Sequence, residues 1–316
     1  MKVLVTGASG FLGSHLARRL LAAGHRVAAL ARPGALLPGG LERMEGDLRD
    51  EASLTRASEG CEAVFHAAAV LGYRDSLDRL QEEVNVLGTR RLCAAARRAG
   101  VRRLILTSSV VAIGIPEEGE LADESSPFGP QPARLPYART KHAAELEVLE
   151  AVESGLDAVT VNPGVIFGVR PNRHHTLNLF ETLAAGRMPV YPTGGVSWVW
   201  VEDVVDGCLK ALEKGRTGSR YLLAGENLPY RDFMRAVCRA AGSRAPVLPL
   251  PGHALLAATA LLGNLSPLSV EAARLGSRHL YYRSDLAARE LGWHPTPLAE
   301  AIRHSIQTWM ERKGAS

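Results

Sequence analysis

The sequence predicts an α/β fold with a parallel sheet covered by helices on both faces, and three observations predict it. Short, continuously apolar runs recur along the first half of the chain. Helical patterns separate them, and a glycine-rich turn joins the first run to the first helix. Strands that are apolar without alternation are buried on both faces, which is what a parallel sheet with crossover helices provides.

Val3-Leu4-Val5 reads as the first strand and Gly7 to Gly13 as the turn. His15 to Ala23 reads as the helix that the turn opens, with Gly24 as its C′ residue. Val27 to Leu30 is the second strand, Ala63-Val64-Phe65-His66 the third and Leu104-Ile105-Leu106 the fourth. Val84 to Arg98 is helical, a further helix begins near Tyr137, and Ala158 to Val161 is the fifth strand. After Gly168 the character changes: Pro171 to His175 is polar and Pro189 to Gly195 is rich in Pro and Gly. Val204 to Leu212 reads as a helix, Tyr221 to Leu223 as a strand, and Leu298 to Arg312 as a closing helix. No internal repeat or long linker is visible. The expected organisation is a main domain over 1–168, to which 200–225 return, and a smaller C-terminal α/β lobe over 169–199 and 226–316.

Composition narrows the partners. The chain has 316 residues, 46% hydrophobic and 22% charged, as globular domains do. Its net charge of +4 comes mainly from scattered arginines, with no basic tail and no aromatic interleaving. Nucleic acid is therefore not an expected partner, and an anionic small molecule suits the balance. Cys61, Cys93, Cys208 and Cys238 are far apart, which predicts buried reduced thiols instead of a zinc site or disulfides. The N-terminus lacks the secretory order of segments, and the longest apolar stretch, Ala254 to Leu262, is too short to span a bilayer. A cytoplasmic protein without a membrane partner is expected.

Gly7-Ala8-Ser9-Gly10-Phe11-Leu12-Gly13 places glycines three apart between a strand and a helix. The first permits a tight turn, the second lets backbone N–H groups approach a pyrophosphate, and the third lets helix and strand pack closely. A Rossmann-type, doubly wound sheet binding a dinucleotide follows. The second strand ends Ala29-Leu30-Ala31-Arg32, without the carboxylate that would bond the adenine ribose of NAD. Arg32 offers a guanidinium for a 2′-phosphate, so NADP is favoured over NAD; a solvated surface arginine is the other reading. In Gly46-Asp47-Leu48, Asp47 can accept from an adenine amino group or cap the next helix.

Tyr137-Ala138-Arg139-Thr140-Lys141 puts a phenol and an amine on one helical face. A free phenol titrates near about 10, too high for proton exchange at neutral pH, and a nearby ammonium lowers it. Lys141 can also bond the nicotinamide ribose, leaving Tyr137 to exchange a proton with a carbonyl oxygen as hydride arrives. Thr107-Ser108-Ser109 lies at the C-terminal end of the fourth strand, where open α/β sheets bind ligands, and a hydroxyl there can hold the reacting oxygen.

Together these residues resemble the extended short-chain dehydrogenase/reductase (NAD-dependent epimerase/dehydratase) family over nearly the whole chain. Gly7, Gly10 and Gly13 match its glycine motif, Tyr137 and Lys141 its catalytic pair, and Ser109 its catalytic serine, with Ser108 as the fallback. The resemblance implies that Ala67-Ala68-Ala69 passes beneath the adenosine ribose and that Asp47 and Leu48 meet the adenine. It also implies that Asn85 is structural and that Asn162-Pro163-Gly164-Val165 lies beside the nicotinamide. Val199 to Val204 resembles the family's "hVxDh" segment, and Leu291-Gly292-Trp293-His294-Pro295 its "LGWxP". The dihydroflavonol-4-reductase-like subgroup is most similar, since it also has an Arg after the second strand. UDP-sugar epimerases instead carry an acidic residue near Ala31 and an Asn aligned with Val165. Such relatives dimerise through the helices that begin here near Val84 and Tyr137, which implies a homodimer.

The expected dinucleotide-contacting set is therefore Gly7, Ser9, Gly10, Phe11, Leu12, Gly13, Arg32, Asp47, Leu48, Ala67, Ala68, Ala69, Tyr137, Lys141, Pro163 and Val165. The expected reaction is NADPH-dependent reduction of a small-molecule ketone, or oxidation of an alcohol. Its alternatives are a nucleotide-sugar epimerase or dehydratase that retains NAD, and a non-enzymatic dinucleotide-sensing regulator. Arg173-His174-His175 lacks a third ligand at metal spacing and reads as a polar pocket rim. Trp198 and Trp200 alternate along a strand, as core residues or as a substrate border. The run Ala254 to Leu262 reads as core or dimer packing in preference to a lid.

Overall fold

The structure, a computed structural model, describes residues 1–72, 75–170, 179–262 and 270–314. The main body is a parallel sheet of β1 (Lys2–Thr6), β2 (Arg26–Ala31), β3 (Glu42–Glu45), β4 (Ala63–His66), β5 (Arg103–Thr107), β6 (Ala158–Pro163) and β7 (Arg220–Leu223). Their order is β7-β6-β5-β4-β1-β2-β3. The chain runs outward from β1 to β3, then crosses back to place β4 on the other side of β1. That reversal opens a crevice outside the carboxyl ends of β1 and β4, where a ligand is bound in folds of this kind.

Alternation explains why the strands are apolar throughout. On β1, Val3 and Val5 enter one core with Leu16 and Leu20 of the helix Phe11–Ala22 and Val204 and Cys208 of the helix Val201–Lys214. Leu4 enters the other, with Leu92 and Ala96 of the helix Gly88–Arg98. The inner strands thus feed two layers of helix, and a polar side chain on them needs a partner, as Thr6 and His66 find in each other. All four cysteines are buried and free. Among the described residues no helix is long and apolar enough to cross a membrane.

Four elements differ from the sequence expectation. The first helix begins at Phe11 instead of His15, directly out of the turn. The helix expected from Val84 begins at Asp78 and carries a π segment over Glu82–Leu87. The helix Val201–Lys214 extends beyond Val204 to Leu212 at both ends. The strand β3 has no apolar run: its sequence is Glu-Arg-Met-Glu, it pairs with β2 alone, and only Met44 is shielded. An edge strand with polar side chains gives no hydrophobic signal.

The C-terminal lobe is built on a second sheet. Its central strand, Gly195–Trp200, pairs antiparallel with Glu226–Pro229 and parallel with His279–Tyr282 and Val165–Phe167. Leu121–Ala122 joins beyond His279–Tyr282. Trp198 is 1% exposed and stacks on Phe233 at 3.7 Å, which makes it core. Two connections cross between lobes. Leu121–Ala122 and Val165–Phe167 come from the first 168 residues yet serve the second sheet. Conversely Ala287, Leu291 and Trp293 come from the end of the chain yet complete the core around β1. Trp293 donates its indole N–H to the Asp203 carbonyl at 2.8 Å, and the Asp203 carboxylate accepts from Thr296 N at 3.0 Å and Thr296 Oγ1 at 2.7 Å.

Trp293 is therefore a keystone of the first domain although it lies outside the main-sheet sequence. Replacing it by alanine is expected to destabilise the protein by about 3–5 kcal/mol, as for other buried tryptophans. Urea unfolding of Trp293→Ala checks this, and an unchanged midpoint would contradict it.

Candidate active site

The glycine turn is made of backbone alone. Gly7 has φ +77°, and a Cβ there would lie 2.7 Å from the Ala68 nitrogen on the loop after β4. A Cβ on Gly13 would lie 2.1 Å from the Gly7 carbonyl oxygen. Gly10 N–H donates to that same oxygen at 2.8 Å. Gly10 is also the N-cap of the helix Phe11–Ala22, with no side-chain cap and no acidic residue in the first turn. The leading N–H groups and the positive end of the helix are thereby left to an anionic ligand.

A cavity of about 530 Å³ opens in front of this turn. Gly7, Ser9, Gly10, Phe11 and Gly13 line it from the turn, Ala67, Ala68 and Ala69 from the loop after β4, and Arg32, Asp47 and Leu48 from the far end. A dinucleotide fits this arrangement: the close backbone packing that shapes the cradle leaves no room for a Cβ at Gly7 or Gly13, and the uncapped N–H groups of the helix face an anion. Leu12 packs its side chain in the core with Val3 and Val5, so its backbone N–H in the first turn of the helix is the part it can offer a ligand.

At the far end Arg32 is exposed on the cavity rim. Arg49 grips the Asp47 carboxylate with Nε at 2.9 Å and Nη2 at 3.0 Å, and its backbone N–H adds a third bond at 2.9 Å. Those bonds hold the Asp47 carboxyl below the usual range. Asp47 is not a helix cap: Asp50 caps the helix Glu51–Ser58, accepting from Ala52 N at 3.1 Å.

Asn85 anchors the Ala67–Ala69 loop at its far end. It accepts from Val70 N at 2.8 Å and donates to Val70 O at 3.2 Å and to Thr140 Oγ1 at 3.3 Å. Thr140 lies between Tyr137 and Lys141, so loop and helix share one amide. Beneath the loop runs a second chain. Ala68 N–H donates to Thr6 Oγ1 at 3.3 Å, which meets His66 Nδ1 at 2.7 Å. His66 Nε2 meets Thr89 Oγ1 at 3.0 Å, and Thr89 donates to the Asn85 carbonyl at 2.6 Å. One direction satisfies every group: Thr6 donates to Nδ1, and Nε2–H donates to Thr89. Burial, with the Lys141 charge adding to it, pushes His66 down to about 3, so the ring is neutral.

Tyr137 and Lys141 project from the first turns of the helix Pro136–Glu153, whose N1 residue is Pro136. They are 7% and 3% exposed. Lys141 Nζ donates to the Thr107 carbonyl at 2.7 Å, which uses one of its three donors. Burial pulls Lys141 down to about 8, opposed by the Glu145 charge one turn further on. Glu145 accepts from Asn162 Nδ2 at 2.6 Å and from Arg220 Nη1 at 3.3 Å. Asn162 also donates to the Ser109 carbonyl at 3.0 Å, tying the end of β5 to the helix.

Ser109 is extended, with φ −163° and ψ 153°, and its residue is half-buried, whereas the Ser108 hydroxyl is buried. Ser109 is therefore the less buried residue of the pair. Pro163 is buried at the end of β6, and Val165 lies on the wall of a second, apolar cavity with Val110, Val111 and Leu135. Arg173-His174-His175 lies outside the described residues. The sequence reading had no role for Thr6, Thr89, Glu145 or Arg220, whose partners lie far away in the chain. Two signals were present: His66 closes an otherwise apolar strand, and Glu145 follows Lys141 by four residues on a buried helix face.

Residues 3–224 match the profile of the NAD dependent epimerase/dehydratase family. The chain is 37% identical to sterol demethylase protein B of Methylococcus capsulatus over 99% of both chains. It is 32% identical to a 4-hydroxy-2-methyl-3-oxo-4-farnesyl-3,4-dihydroquinoline-1-oxide ketoreductase of Stigmatella aurantiaca, over 93% of this chain and 92% of that one. Among solved structures, the UDP-glucose 4-epimerase of Thermus thermophilus in complex with NAD superimposes with a TM-score of 0.78 at 29% identity, covering 98% of this chain and 99% of that one.

Lys141 makes stability depend on pH. Its ordinary value is 10.5 and its folded value about 8. Between these the unfolded chain binds more protons, so stability rises with pH; below about 8 both states are charged and the full burial cost applies. Relative to Lys141→Met, the wild type is expected to gain about 3 kcal/mol between about pH 7 and pH 10.5. Denaturant titrations at the two pH values check this, and a constant difference would contradict it.

Proposed function

The chain belongs to the NAD dependent epimerase/dehydratase family, and from that premise we propose that it is an NADPH-dependent carbonyl reductase acting through Ser109, Tyr137 and Lys141. The observation that carries the reading is the buried ammonium of Lys141, one turn from the Tyr137 phenol and beside the sheet edge that a dinucleotide would occupy. NADPH, when bound, supplies the hydride. The chain supplies everything else. Ser109 hydrogen-bonds the substrate oxygen and holds it toward Tyr137. Tyr137 gives its phenolic proton to that oxygen as charge develops there. Lys141 bonds the nicotinamide ribose with its remaining donors and lowers the phenol's affinity for its proton.

The preference for NADPH rests on Arg32, which stands at the cavity rim where no acidic side chain ends β2. The guanidinium would pair with a 2′-phosphate. Asp47, with its carboxylate oriented by Arg49, would accept from the adenine amino group. The ketoreductase name of the Stigmatella relative supports the reductive reading. The likeness to the Thermus epimerase favours a second reading, an epimerase that retains NAD. The two differ in an observable: only the reductase consumes NADPH.

Tyr137→Phe is expected to lower kcat by at least about a hundredfold, the usual range for a general acid, while NADPH affinity stays within about twofold. Steady-state kinetics and a fluorescence titration check both, and equal turnover in the variant would refute the mechanism. Arg32→Asp is expected to weaken NADPH about tenfold or more and to spare NADH. Parallel titrations with the two dinucleotides measure this, and an unchanged ratio would count against the 2′-phosphate role.

A further inference from the structure

A second cavity, of about 200 Å³, adjoins the catalytic residues. Val110 and Val111 follow Ser109, Leu135 precedes Tyr137 by two positions, and Val165 stands on the same wall. Leu255, from the helix Gly252–Leu262, and Leu275 line it from the C-terminal lobe. Three of these lining residues lie within two positions of Ser109 or Tyr137 in the chain, which makes the cavity the candidate chamber for the part of a substrate beyond its reacting carbon.

The lining has one chemical character. Among the described residues that form it there is no Asp, Glu, Lys, Arg or His. Its hydroxyl side chains are Ser197, Tyr230 and Tyr282. Ser197 donates to Asn227 Oδ1 and accepts from Tyr282 N at 3.0 Å. Tyr282 donates to the Gly114 carbonyl at 2.8 Å and is 2% exposed. Tyr230 turns its ring edge-on to Trp198 at 5.5 Å. Two arginines on elements of this region are engaged elsewhere: Arg220 with Glu145 and the Glu124 carbonyl, and Arg278 with the Pro116 carbonyl.

A diphosphate or carboxylate placed here would lose its hydration and, among the described residues of the lining, meet no cation, which is prohibitive for an unpaired charge. An apolar body would lose only its contact with water, which favours binding. We infer that the substrate is an uncharged ketone or alcohol with an apolar body lodged between Val110, Val111, Leu255 and Leu275, and not a sugar nucleotide or another anion. For its reaction, but not for its binding chemistry, the inference rests on the reductase reading above.

The test pairs neutral ketones of increasing apolar length with analogues ending in a carboxylate, and adds UDP-glucose. Binding to the NADP-loaded protein is measured by calorimetry, and turnover by NADPH oxidation. Affinity and kcat/KM are expected to rise up to about tenfold per added methylene until the cavity is full. Each carboxylated analogue should fall at least about a hundredfold below its partner, and UDP-glucose should not bind. Leu255→Arg should reduce the neutral-to-anionic ratio at least about tenfold while NADPH affinity is unchanged. If that variant does not fold, Leu275→Gln should show a weaker shift of the same sign. Tighter binding of the carboxylated analogues or of UDP-glucose overturns the inference. Neutral ligands that bind in the expected order without oxidising NADPH support it and overturn the reductase reading instead.

Discussion

Keeping an ammonium almost wholly out of water is the constraint around which this site is arranged. Lys141 has left solvent, and its charged form survives near neutral pH because specific partners receive it: the Thr107 carbonyl at 2.7 Å and the field of Glu145. Glu145 is itself buried, and it is tolerated because Asn162 and Arg220 donate to it. These contacts join three separate strand ends to one helix. They tie the helix that carries Tyr137 to the end of β5 that carries Ser109, so the partners that keep the buried charge also fix where these two residues stand. The neutral state of His66 belongs to the same balance, since a second cation beneath the Ala67–Ala69 loop would oppose Lys141.

The fold was legible in the sequence wherever burial was symmetric. β1, β2, β4, β5 and β6 are covered on both faces, so their apolar runs stand out, and the glycine turn fixes the direction of the first crossover. The edge strand β3 was invisible because a strand paired on one side has no need of apolar residues. Helix starts were missed where the chain enters the helix without a side-chain cap, as at Phe11. The C-terminal segment around Trp293 illustrates a different limit: nothing local indicates that it packs beside the helix Val201–Lys214 in the core of a domain whose main sheet ended far earlier.

The site shows the same division. Tyr137, Lys141 and the three glycines are recognisable because their chemistry depends on short spacings. The supports are not, because Thr6 and His66, or Asn162 and Glu145, meet only after the sheet has formed. Position in a motif does not say where a side chain goes: Leu12 lies inside the glycine motif with its side chain in the core, and Val165 lines the apolar cavity. The described lining of that cavity carries no charged side chain, whereas Arg32, Asp47 and Arg49 line the cleft in front of the glycine turn.

The most direct test of this account follows the hydride itself. The protein is incubated with NADPH carrying deuterium at nicotinamide C4 and a neutral apolar ketone, and the product is examined by mass spectrometry. The account predicts an alcohol that has gained one deuterium at its former carbonyl carbon. An alcohol formed without the label, from either face of the nicotinamide, would contradict it.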